Sequence, residues 1–134
     1  FFNLLHTNFF KLNQTKFDHF APHFEEVFTA YAQQILFQKF INLINNYYID
    51  KRTIEEYAEL LFVTPNHLSQ SVKDASKRNT LSFINERIMS EAKSLIPFTE
   101  FDVAEIAHQL NFSDPANFGK YFKKHAYKAA QIVT

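Results

Sequence analysis

Cysteine is absent from this 134-residue chain, which excludes disulfides, thiolate zinc sites and cysteine nucleophiles. That is compatible with a reducing compartment, and a cytoplasmic location is the expectation. A single glycine and four prolines leave little material for hairpins or Gly-rich phosphate loops, so an all-α fold is favoured. Uncharged runs such as 27–38 and 40–49 are too short and too polar to span a bilayer, and no membrane partner is expected. The chain starts at Phe1, not Met, with no basic region before it, and reads as a piece of something longer, not as a signal peptide. The carboxylates show no pairing that suggests acid/base catalysis, and no Ser–His–Asp arrangement can be argued, so neither an enzyme nor a cofactor is expected. His19 and His23 stand four apart and with Glu26 offer a metal set, but packing or surface histidines are the favoured reading.

What is present is unevenly placed. Lys and Arg number 14, Asp and Glu 14, so the formal net charge is zero. From 115 to 134, however, there are four lysines (120, 123, 124, 128) and no acid. Phenylalanine is concentrated at the other end, with ten of seventeen in the first fifty residues. After Pro22, apolar residues recur every three or four positions from Phe24 to Tyr47, which predicts a long amphipathic helix over about 23–48 with Pro22 in its first turn. So much aromatic surface suits a homodimer through residues 22–48 or contact with a further domain; packing on neighbouring helices is the bland alternative.

From Lys51 the pattern changes to short helices with clear start signals. Thr53 is placed to cap a helix burying Ile54, Tyr57, Ala58 and Leu61. Thr64-Pro65 opens a second, with Leu68, Val72 and Ala75 inward. Thr80 is read as the cap of a longer helix carrying Phe83, Ile84, Ile88, Ala92 and Leu95 inward, ended by Pro97. Asp102 starts a short helix with Val103, Ile106, Ala107 and Leu110 inward; Ser113 is read as the cap of the last, with Phe118 and Phe122 inward. Short helix, tight turn and helix thus occur twice, around a connecting helix. "TIEEYAELLFVTPNHLSQSVK" and "DVAEIAHQLNFSDPANFGKYFK" align, with Ala58 and Ala107 at the same offset. The domain reading is 1–50 as a helical linker, dimerisation or domain-contact segment, and 51–134 as a double helix-turn-helix.

The second unit, with Ile106, Ala107, Phe112, Ser113, Asp114, Phe118, Lys120, Phe122, Lys123, Lys124 and His125, closely resembles the signature of the AraC/XylS-type transcription regulators. "VTPNHLSQSVK" at 63–73 resembles that family's first helix-turn-helix, and "INERIMSEAKSLI" at 84–96 its linker helix; the resemblance covers about 51–128. It implies double-stranded DNA as partner and admits RNA polymerase as another. It also implies an effector-binding domain outside this chain. Two departures stand out. Phe62 and Asn111 occupy turn positions where the family usually has glycine, and "AYKAA" at 126–130 replaces the usual glycine-containing close of the last helix.

A helix in the major groove needs one face for its own domain and another for base edges. On 65–75, Asn66, Ser69 and Gln70 are the candidate base readers and Lys73 a phosphate contact. On 114–125, Ala116, Asn117 and Lys120 are the candidate readers, and Lys123 and Lys124 the phosphate contacts. Gly119 sits between Asn117 and Lys120; it serves either close approach of the backbone to DNA or a close helix–helix contact. A connecting helix over 80–96 is about 25 Å long, so two recognition helices reach successive groove turns roughly 34 Å apart, with DNA bending taking up the shortfall. The rival reading is a helical protein-interaction module that never meets DNA.

Overall fold

The computed structural model describes the backbone of residues 2–98 and 102–133, and the side chains of 23–96 and 102–126. Among these residues the secondary structure is helical throughout: α1 Phe2–Tyr47, α2 Ile54–Leu60, α3 Pro65–Ser76, α4 Thr80–Phe98, α5 Val103–Gln109 and α6 Pro115–Val133. The long first helix starts near the beginning of the chain and contains Pro22, instead of opening at it.

Local hydrogen bonding explains most helix starts. Thr53 and Glu56 form a reciprocal capping box: the Glu56 N–H donates to Thr53 Oγ1 at 3.2 Å, and the Thr53 N–H to Glu56 Oε1 at 3.3 Å. The Thr53 hydroxyl also donates to Glu56 Oε1 at 2.9 Å, and this bond foremost holds the Glu56 carboxyl below the usual carboxylate range. Thr64 Oγ1 accepts from the His67 N–H at 3.1 Å, and Asp102 Oδ1 from the Glu105 N–H at 2.9 Å. Two caps differ from the expectation by one residue. Asn79, not Thr80, opens α4, its Oδ1 accepting from the Leu81 N–H at 2.8 Å; Thr80 is buried, and its hydroxyl donates to the Ser69 carbonyl. Asp114, not Ser113, opens α6, accepting from the Asn117 N–H at 2.7 Å. In both cases the neighbouring Asx side chain is placed to reach the free N–H groups of the first turn, leaving the hydroxyl for a different bond.

The two units turn by the same device. The Val63 N–H donates to the Ala58 carbonyl (3.1 Å) and the Phe62 N–H to the Glu59 carbonyl (3.2 Å). Phe112 to Ala107 (2.9 Å) and Asn111 to His108 (3.0 Å) repeat the pattern. This paired closure requires a left-handed residue just after the helix. Phe62 (φ 57°) and Asn111 (φ 62°) are those residues, so the family's glycine positions are the ones where the backbone demands φ > 0. The Phe62 side chain stands 95% exposed.

Two cores share one rod. Phe40, Ile44, Tyr57, Ala58, Leu68, Val72, Ile84 and Ile88 form the first; Ala92, Ile106, Ala107, Leu110 and Phe118 form the second. Helix α4 feeds the first with Ile84 and Ile88 and the second with Ala92, while Tyr48 and Phe112 pack against both. The last turns of α1 belong to the first core through Phe40 and Ile44. Further toward its start, Phe24, Val27, Phe28, Tyr31 and Ile35 are exposed. Val103, expected inward, is 56% exposed, because a two-turn helix buries only its Ile106–Ala107 side. No helix of the described residues is long and apolar enough to cross a membrane.

Candidate nucleic-acid interface

Helix α3 buries Leu68, Ser71 and Val72 and turns Asn66, Gln70 and Lys73 outward, with Ser69 half-buried at the edge of that face. The candidate readers and the lysine therefore share one outward side. Gln70 is not loose there. Its Nε2 donates to Asp74 Oδ1 at 2.9 Å, one helical turn on, and the other carboxylate oxygen accepts from Gln33 Nε2 of α1, also at 2.9 Å. At the helix C-terminus Lys77 takes a left-handed backbone (φ 63°). Arg78 is committed to the protein, pairing with Glu86 and lying 4.3 Å over the Phe83 ring.

Helix α6 buries Phe118 and exposes Ala116, Asn117, Lys120, Lys123 and Lys124. It runs on through Val133, past the expected end at 125, since "AYKAA" contains nothing that stops a helix. Asn117 is tied to the helix start: its Nδ2 donates to Ser113 Oγ at 2.6 Å and to Asp114 Oδ2 at 3.3 Å. Its amide donors are thereby occupied. A Cβ added to Gly119 would meet no atom within 4 Å, so a close helix–helix contact does not explain the glycine. The last acid in sequence before these lysines, Asp114, accepts at the helix cap.

Helices α3 and α6 both pack against α4. The Tyr121 hydroxyl donates to Asn85 Oδ1 at 2.7 Å, and the Arg52 guanidinium lies 4.1 Å over the Phe112 ring. Burial pushes the Tyr121 phenol up to about 12, against the opposing effect of nearby Arg52. The same burial lowers the Arg52 guanidinium, whose Nε and Nη2 find no hydrogen-bond partner among the described residues. A further cation–π contact, Arg87 over Tyr48 at 4.0 Å, clasps α4 to the residue that follows α1.

All nine candidate contact residues thus lie on the outer sides of α3 and α6. Of the His19–His23–Glu26 set, His19 lies outside the residues with described side chains. Sequence reasoning passed over Asp74, Gln33, Asn85 and Arg52. Asp74 carried a legible signal, four positions after Gln70; Gln33, 41 positions from Asp74, carried none.

A helix-turn-helix domain family matches residues 57–129, more than half the chain. The chain is similar to the uncharacterized HTH-type transcriptional regulator YijO of Escherichia coli (strain K12), with 26% identity over 104 residues, 78% of this chain and 37% of that protein. It is also similar to the lactose operon transcription activator of Staphylococcus xylosus, 30% identical over 91 residues, 66% of this chain and 32% of that protein. The chain spans about a third of the length of these relatives. Two solved structures share the fold. The C-terminal domain of the two-component response regulator yesN from Fusobacterium nucleatum subsp. nucleatum ATCC 25586 has TM-score 0.60 and 29% identity, covering 66% of this chain and 95% of that one. The C-terminal domain of AraT, a response regulator from Geobacillus stearothermophilus, has TM-score 0.61 and 26% identity, covering 66% and 74%. With its twice-used turn, shared α4 and outward polar faces, the chain belongs to the AraC-type helix-turn-helix family of transcription regulators, which bind DNA and are not enzymes.

Proposed function

We propose that residues 51–134 read a two-part DNA sequence, α3 and α6 entering successive major-groove segments of one duplex face. Asn66, Ser69 and Gln70 read bases in the first segment; Ala116, Asn117 and Lys120 read them in the second. Lys73, Lys123 and Lys124 hold phosphates. The observation that carries this reading is the pair of helices, each with an inward apolar face and an outward polar one, mounted on a common rod. Helix α4 has nineteen residues, so it is roughly 28 Å long; modest bending brings successive groove turns within reach. Gly119, with open space where a side chain would be, lets the α6 backbone come close to the DNA. The protein acts in the cytoplasm, with RNA polymerase as the further partner that the family resemblance implies.

The test is selection of bound sequences from a random duplex library. Enrichment of a bipartite motif with half-sites about one helical turn apart supports the reading. No enrichment at low salt favours a helical protein-interaction module.

Residues 1–50 act as a contact arm in the same proposal. Phe24, Phe28, Tyr31 and Ile35 follow the alternating four-and-three spacing of a coiled-coil seam, and all are exposed, Phe28 by 62% and Tyr31 by 65%. A second copy of the chain is the occupant proposed for this seam. Sedimentation equilibrium should show a dimer that Phe28→Glu dissociates; a monomer at high concentration overturns this part alone.

A further inference from the structure

We infer that Asp74 and Gln33 are positioning residues for the base reader Gln70, so that a residue of α1, outside the recognition helix, helps to set sequence preference. The inference rests on the proposed reading of bases by Gln70 and concerns how that side chain is held.

Glutamine has a long side chain with much rotamer freedom to lose on binding. Here one end of that freedom is already removed. A carboxylate has only acceptors, so the group that Gln70 turns toward Asp74 Oδ1 at 2.9 Å must be its NH2. One N–H is then used inside the protein. The second N–H and Oε1 stay free on the exposed side, the donor–acceptor pair that matches adenine N7 and N6.

Asp74 is exposed, and alone it would move among its own rotamers. Gln33 Nε2, reaching from α1 to Oδ2 at 2.9 Å, engages the remaining carboxylate oxygen. Each oxygen of Asp74 therefore has its own glutamine, one from the arm and one from the recognition helix. Gln33 lies within three residues of Leu36, which packs against the first core, so the anchor end is held by packed helix. Pre-organisation of this kind improves discrimination by cutting the ordering cost at the moment of binding.

The test uses the full chain and the duplex motif that it selects. Gln70→Ala is measured first and should relax one base pair, lowering the ratio of specific to random-duplex affinity ~10-fold. Asp74→Ala and Gln33→Leu should then relax that same base pair by a smaller factor, several-fold, read as the ratio of specific to random-duplex affinity because Asp74→Ala also removes a negative charge that repels all DNA. The charge-neutral Gln33→Leu should leave random-duplex affinity and the thermal midpoint unchanged. If Gln70→Ala relaxes a base pair and Gln33→Leu leaves it untouched, the positioning role is overturned while Gln70 stands as a reader. If Gln70→Ala relaxes none, the reading of Gln70 falls and the inference with it. Relaxation at a different base pair in Asp74→Ala would mean that Asp74 reads directly. A higher ratio of specific to random-duplex affinity in that variant would mean that it holds Gln70 out of the groove. Either result overturns the inference.

Discussion

Tyr121 of α6 donates its hydroxyl to Asn85 Oδ1 of α4 at 2.7 Å, joining the second recognition helix to the rod that also serves the first core. Tyr121 packs against that first core although it belongs to the second unit. This part-buried bond and the Arg52–Phe112 contact beside it therefore help to hold the second unit against the first.

Tyr121→Phe should lower stability by about 1 kcal/mol, since it leaves Asn85 a half-buried acceptor without its donor. The wild type should also lose stability in alkali. Burial raises both Tyr57 and Tyr121 to about 12 from an ordinary 10. A raised folded pKa means that the unfolded chain ionises first, so the contribution is whole below pH 10 and is lost as pH climbs toward 12. Tyrosinate absorbance of the native protein should show Tyr57 and Tyr121 ionising well above the ordinary 10, which Tyr57→Phe and Tyr121→Phe identify. Ionisation of either near 10 would contradict this.

Readers and anchors should separate on mutation. Lys120→Ala and Asn117→Ala should each weaken the selected duplex by about 1–3 kcal/mol and spare random DNA. Lys123→Ala should weaken both alike and flatten the salt response. With roughly four to six phosphates engaged, log K against log[salt] should slope at about −4 to −5. Asn117→Ala carries an extra cost that Lys120→Ala does not, because it also removes the bond to Ser113 at the helix start. Circular dichroism melts alongside the affinities distinguish the two losses. Equal losses on both duplexes for Lys120→Ala would show that this face does not read bases.

Gly119→Ala should move stability and affinity in opposite directions. The site is helical with open space for a methyl, so the protein should gain about 1 kcal/mol. DNA affinity should fall, because the methyl stands where the backbone nears the duplex. A variant that is both more stable and equally tight would remove the glycine from the interface.

Phe62→Gly should stabilise the first unit by up to about 1 kcal/mol, by relieving a left-handed backbone at a bulky residue. Little packing is lost, since the ring is almost fully exposed. A fall in melting temperature would mean that the ring is needed in a contact made by the folded chain.

Much of this was legible in the residues alone because it is local. Caps, the closing turns and the inward stripes of α3 and α6 depend on groups within about four positions, and hydroxyl, Asx and apolar residues mark them directly. The duplicated alanine offset marked the repeat, and the outward placement of Asn66, Gln70, Asn117 and Lys120 follows once Leu68 and Phe118 face inward. Tertiary structure decided the rest. Which of two adjacent capping residues accepts the N–H depends on burial elsewhere: Thr80 turns inward to the Ser69 carbonyl and leaves the cap to Asn79. Periodicity marks an apolar stripe without saying where a neighbour ends, so α1 could not be divided in advance into its packed turns around Phe40 and Ile44 and its bare turns around Phe28 and Tyr31. The Gln33–Asp74 and Tyr121–Asn85 bonds join residues 41 and 36 positions apart. Their side chains are ordinary polar surface by composition, and only the packing of one helix on another brings each donor to its acceptor.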